Sequence, residues 1–389
     1  MANTTKNQFV DRESHIQTFD AAVTNIGLKE LSVLVYYGIA GIGKTSLRKE
    51  LSKHLQEYND EYDSQKVIWA SIDLQLASHR EKSTFLITLK NELQKTSTKY
   101  FLESKLHFPA FEIAHAIYWK KAHPESQLRK DNYLLFEDDE KLDPFFGVVN
   151  QIPYFNVVPA VARLLKTAPD HLRKWWTKKL ESELNELSEK EPLDIEQDLT
   201  HFWAQDLNKY LEDNSKSAVL FIDTYEDMLV NHSSDGYSLD NWIRDELISH
   251  KLSQKVLWVI CGREALCWKK TKDTGIEWDK YITQYPVQEL DEKYCIEYLE
   301  TRGITNEKIQ DVIVEGSKGV PYYLELSVDT YKKITIYKNR QPEPKDFGGS
   351  RQEITERFFK YLSPEEKNAL SVLSITHFWD YELFEYYSK

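Results

Sequence analysis

This sequence lacks a basic excess, a set of pairable cysteines and a long apolar run, and each absence argues against a class of protein. Lys and Arg number 50 against 63 Asp and Glu, for a net charge of −13. Holding nucleic acid by bulk electrostatics requires a dense basic surface, so nucleic acid is not expected as a partner. The three cysteines, Cys261, Cys267 and Cys295, show no C-x-x-C spacing and cannot all pair. A disulfide scaffold and a cysteine-based zinc site are therefore not expected, and a reducing cytoplasm is the expected compartment. The first residues, MANTTKNQFVDRESH, lack the apolar run of a signal peptide, so no secretory leader is expected. The uncharged stretch between Asp143 and Arg163 carries Pro144, Pro153 and Pro159, which makes a membrane-spanning helix costly and predicts a buried loop-and-helix segment. No H-E-x-x-H and no G-x-S-x-G occurs, so zincin and α/β-hydrolase chemistry have no foothold.

What is present is a series of short β-rich apolar runs at residues 31–37, 66–74, 217–225 and 255–263. Each is apolar without clean alternation, the pattern of strands covered on both faces in a parallel α/β layer. A weaker fifth run starts at Thr283, and Pro286 assigns it to a sheet edge. Ile16, Phe19, Val23 and Ile26 lie at helical spacing ahead of the first strand. Residues 78–214 read as a long helical insertion, whose clearest helix has Leu172, Trp176, Leu180, Leu184 and Leu187 in one stripe. The basic, aromatic segment 173–179 within it reads as a packed Trp176 flanked by solvated lysines. Glu112 and His115 have the i, i+3 spacing of a di-iron ligand pair, but the motif occurs once where two copies are needed, and it reads as helix surface. Residues 291–303 and 319–333 are helical, residues 340–350 with two prolines and two glycines form the best linker, and Ser363, Pro364 and Glu366 open a capped helix.

Only 13 glycines occur in 389 residues, yet GIAGIGKTS satisfies G-x-x-x-x-G-K-[ST] through Gly38, Gly43, Lys44 and Thr45. It follows a strand and opens a helix, as this motif requires. Glycines let backbone NH groups turn toward phosphate oxygens, and the helix N-terminus adds a favourable dipole. The spacing assigns phosphate binding to Gly38, Ala40, Gly41, Ile42, Gly43, Lys44, Thr45 and Ser46, with Lys44 on the β and γ phosphates and Thr45 on magnesium. Asp223, at the end of the third strand, is the expected second metal residue. Glu226 is the expected general base, with Asp227 competing for that role. Arg263, ending the fourth strand, is positioned to report a γ-phosphate or to pair with a neighbouring acid. The cofactors expected are ATP or ADP with Mg2+. No N-K-x-D sequence occurs, which favours adenine over guanine.

With these motifs in order, the chain resembles the STAND class of P-loop NTPases, relatives of AAA+ proteins that include NB-ARC and NACHT switches. Residues 9–13, FVDRE, look like the F-V-G-R-E box that lies near the adenine, with Asp11 where the family has glycine. That similarity implicates Val10 and Arg12 in nucleotide binding. Gly319 and Pro321 are similar to the glycine-x-proline motif of the family's helical lid, whose proline packs on the base. Residues from 354 onward look like the first helices of a winged helix. The resemblance implies a nucleotide-binding domain at 1–77 and 215–290, the helical insertion at 78–214, a lid at 291–345 and a partial winged-helix domain from 346. It also implies a slowly hydrolysing ATP/ADP switch that self-oligomerises when an unknown protein triggers it, with antiviral defence among the family's roles. The family's sensor region would follow Lys389, so the chain is expected to be a piece of a longer protein. An origin-recognition-like AAA+ ATPase that binds DNA through its winged helix shares the same motifs. Against it, residues 351–389 carry five basic and seven acidic side chains.

Overall fold

The apolar runs become five parallel strands, β1 (Ser32–Tyr37), β2 (Val67–Asp73), β3 (Ser217–Asp223), β4 (Val256–Gly262) and β5 (Ile282–Pro286). They form one sheet in the order β2-β3-β4-β1-β5. The computed structural model describes residues 11–28, 31–61, 66–101, 105–125, 178–187, 189–229, 240–249, 254–268, 276–337, 339–349, 351–362 and a few positions up to 374. Pro286, opposite Tyr37 in the register, ends the edge strand β5, where its missing N–H breaks no ladder. Central β4 is buried at every position, so its lack of alternation reflects cover on both faces.

The two faces carry different helices. On one, α1 (Glu13–Thr24) and α2 (Lys44–Glu61) bury Phe19, Val23, Leu47, Leu51 and Leu55 against Leu34, Phe221 and Val259. On the other lie helices of the long segment between β2 and β3: α3 (Lys82–Tyr100), α4 (Pro109–Ala122), α5 (Lys178–Leu187) and α6 (Pro192–Asp213). Their Phe85, Leu89, Phe111 and Trp203 share one core with Val33, Ile68, Leu220 and Trp258 of the sheet. Each such aliphatic or aromatic side chain contributes about 1.5 to 3 kcal/mol by leaving water. Leu180, Leu184 and Leu187 of the expected stripe are buried, while Leu172 and Trp176 lie outside the described residues. The 143–163 segment, the 363–366 cap and most of the expected winged helix also lie outside them. Among the described residues, no helix is long and apolar enough to cross a membrane.

α4 differs from its expected exposure. Glu112 and His115 are buried, and Glu112 pairs with Lys90 of α3 at 2.8 Å with both side chains out of solvent. PAFEIAHAIYW is apolar on nearly every side, so α4 is covered all round and its two polar residues are enclosed with it. Asp206 of α6 accepts from the Phe111 N–H at 2.9 Å and so caps the first turn of α4.

After β5 come α7 (Glu292–Thr301), α8 (Glu307–Ser317) and α9 (Pro321–Tyr337), whose Cys295, Leu299, Ile313, Leu324 and Val328 form a separate core. The 340–350 stretch is not the spacer its prolines and glycines predict. Phe347 is buried in that same core, and the Arg340 guanidinium donates to both oxygens of Asp346, at 2.8 and 2.6 Å. One aromatic side chain and a paired charge anchor the turn despite its composition. α10 (Arg351–Tyr361) follows.

Candidate nucleotide site

Residues 38–43 turn between β1 and α2 at the carboxyl edge of the sheet. Gly41 and Gly43 take φ of +78° and +97°, conformations that suit glycine. Ile42 is buried and pins the turn to the core, while Ala40, Thr45 and Ser46 remain exposed at the mouth of α2. The turn therefore has the geometry of an anion-binding loop running into a helix N-terminus. This loop and the five-stranded parallel sheet make the chain a P-loop NTPase fold. Lys44 is buried, and its Nζ donates to the carbonyls of Gly38 at 2.7 Å and Ile39 at 3.1 Å. Burial lowers the pKa of its ammonium, while Glu226 and Asp223 nearby act to raise it.

The carboxyl ends of β2 and β3 supply Asp73 and Asp223, and the end of β4, next to β1, supplies Arg263. Asp223 accepts from the Arg48 Nε at 3.2 Å and from the Thr224 N–H at 3.0 Å. Thr224 has φ +58°, an unusual conformation for a β-branched residue, and its hydroxyl donates to Asp73 at 2.8 Å. Strain of that kind concentrates at functional positions. Glu226 follows on a short helical turn steadied by Tyr225, whose hydroxyl donates to buried Asp240 at 3.0 Å. Arg263 meets Glu226 twice, through its backbone N–H at 3.1 Å and its Nε at 2.9 Å. In this arrangement the arginine is paired with the acid. Asp227 pairs with Arg80 at 2.8 Å and lines the same cleft as Glu226. A cleft of about 280 Å³ adjoins this group, lined by Glu226, Arg263, Glu264, Ile260 and Leu266. It opens on the sheet face that carries α3 to α6, since Ile260 and Leu266 belong to that core.

Asp223 and Thr45 offer carboxylate and hydroxyl oxygens, the hard donors that suit magnesium. Among the described residues no group of three or more His, Cys, Asp or Glu side chains could hold a metal unaided.

The α9 N-terminus lies against the loop. The Tyr322 N–H donates to Gly41 O at 3.1 Å, and a Cβ on Gly41 would come within 2.7 Å of Tyr322 Cβ. The Pro321 ring is 3.8 Å from the position of a Cβ on Gly43. Arg12, expected near the base, is buried with its guanidinium donating to Ile42 O at 3.3 Å, Gln288 O at 2.8 Å and Asp11 O at 2.7 Å. It ties the loop to the segment leading into α7. Asp11 takes φ +56°, which accounts for glycine at this place in the similar motif, and its carboxylate accepts from Asp291 N–H at 3.0 Å. Val10 lies outside the described residues. Sequence reasoning did not single out Arg48, Asp73 or Tyr322, which carry no local motif and enter the site only through the sheet register and the docking of α9.

No family model matches this sequence, and no curated protein does. Solved structures similar to it include the Aeropyrum pernix ORC2 protein in its ADPNP–ADP complexes, with TM-score 0.41 and 12% identity over 96% of this chain and 74% of that one. The Aeropyrum pernix ORC1 protein in complex with DNA has TM-score 0.41 and 12% identity over 100% of this chain and 79% of that one. Drosophila ORC bound to DNA has TM-score 0.41 and 10% identity over 96% of this chain and 70% of that one. Likeness at this level is too slight to carry a functional argument.

Proposed function

We propose that this chain binds ATP with magnesium, hydrolyses it slowly, and works as a STAND-type switch in which the nucleotide sets the position of α7 to α9. The supporting observation is the hydrogen bond from Tyr322 to Gly41, which links the lid-like helices to the loop that would surround the phosphates. A ligand shifts two arrangements only by binding them differently. A phosphate group between Lys44, Arg263 and the α9 N-terminus would supply that difference. Magnesium, when bound, would neutralise charge that develops on the phosphates. Asp223 and Thr45 would hold it, and Glu226, once Arg263 turns to the γ-phosphate, would accept a proton from the attacking water.

Self-association on activation, a protein trigger and a defence role belong to this reading through the family resemblance. The test is the nucleotide that co-purifies with the protein. Trapped ADP supports a resting switch, and a chain that neither carries nor binds adenine nucleotide removes the reading. The second reading is an origin-recognition-like ATPase that binds DNA; two of the similar structures hold DNA. The acidic balance of residues 351–389 opposes it. A salt-dependent DNA affinity tighter than about micromolar would reverse the order of the two.

A further inference from the structure

No motif marks Arg48. It lies one turn beyond Lys44 on α2, and its Nε donates to Asp223 Oδ2 at 3.2 Å. The pair is nearly closed to solvent, with side-chain exposures of 13% for Arg48 and 2% for Asp223. The other carboxylate oxygen, Oδ1, accepts from the Thr224 N–H. Both oxygens of the expected metal residue therefore have donors from the protein itself. The guanidinium thus places a full positive charge directly against the carboxylate, on the side where a metal ion would approach it.

We propose that Arg48 is the resident counter-ion of Asp223 and that it opposes magnesium there, leaving nucleotide binding only weakly dependent on the metal. This rests on the reading of residues 38–45 as a nucleotide site. Two cations close to one carboxylate disfavour each other, so magnesium binds more weakly than it would beside an acid without an arginine. In the absence of metal the same guanidinium, one turn from Lys44, leaves positive charge near the phosphates. By linkage these are a single coupling, because whatever weakens magnesium's effect on the nucleotide weakens the nucleotide's effect on magnesium equally. A switch built this way retains a diphosphate when the metal departs.

The test uses the full chain and a fluorescent ADP analogue, with Kd measured in excess Mg2+ and again in EDTA. The readout is the ratio of the two constants. For the unsubstituted chain the metal-free Kd should exceed the other by less than about five-fold, and Arg48→Gln should raise that ratio by about five-fold or more. Arg48→Lys, which keeps the charge, should stay within about two-fold of the unsubstituted ratio. If the glutamine variant does not fold, Arg48→Met preserves the packed stem and takes its place, with the same increase expected. An unchanged ratio in the glutamine or methionine variant overturns the proposal, as does a lysine variant that behaves like glutamine. If the unsubstituted chain binds the analogue and Lys44→Ala does not, such a result removes only the role of Arg48. If the unsubstituted chain binds no analogue, the nucleotide site falls and the counter-ion role falls with it.

Discussion

Lys44 stands with its ammonium folded onto the carbonyls of its own loop, so the positive charge a phosphate would need is already enclosed by the loop. Lys44→Ala should leave the fold intact and weaken ATP binding more than about 100-fold, since each charge-assisted bond contributes about 1.5 to 3 kcal/mol. Calorimetric titration checks it. Glu226→Gln keeps the shape of the Arg263 contact but removes a base, so ATP binding should persist while turnover falls about 10² to 10⁴-fold, as read in a phosphate-release assay. An unchanged rate would move the base elsewhere. Asp227 is the next candidate, and like Glu226 it starts out paired with an arginine, Arg80. His115 offers a test away from the site. Burial takes its imidazole down to about 3, so the unfolded chain binds a proton that the folded chain refuses. Stability is therefore lost as pH falls from about 6.5 toward 3, at about 1.4 kcal/mol per pH unit from this group. Between pH 7 and pH 5, His115→Phe should lose about 2 kcal/mol less than the unsubstituted chain in urea unfolding.

At the scale of elements, the strands were largely legible, because a run such as VLWVICG can be accommodated only where both faces are covered. The loop and its acids were legible too, since the motif and the strand ends are local patterns. The failures share a physical cause. Residues 340–350 read as spacer from their prolines and glycines, yet a single Phe347 decides the outcome by entering a core assembled from distant helices. Glu112 and His115 read as surface because polar residues usually are, whereas α4 is enclosed on all sides. Arg48 gave no signal, since its partner is a strand away in space and remote in sequence. The turn before α9 provides the test at this scale. Gly319 has φ +71°, and a Cβ there would fall 2.3 Å from Leu290 O. Because backbone cannot give way as a side chain can, Gly319→Ala should cost more than about 2 kcal/mol and disturb the seat of α9, seen as a lower urea midpoint.

For the whole molecule the question is whether the γ-phosphate carries enough energy to move α7 to α9. Inverting a 99:1 population takes about 5.5 kcal/mol, which two or three charge-assisted bonds approach. Arg263 is 59% exposed and held by Glu226 alone among the ion pairs described, so it is free to change partners. Arg263→Ala should shrink the difference between ATP and ADP affinities by about 10-fold or more while leaving ADP binding near its original value, as competition titrations would show. Equal loss for both nucleotides would instead mark Arg263 as structural support for Glu226.

The sheet order has a further consequence for biosynthesis. β4 separates β1 from β3, and both arrive only after the long helical segment has been made. At roughly 5 to 20 residues per second, the phosphate loop emerges from the ribosome roughly 10 to 45 seconds before Gly262 completes its neighbour. For that interval the nascent chain exposes β1 and β2 without the strands that belong between them. Early chaperone capture of this half-built sheet is the vulnerability that its topology imposes.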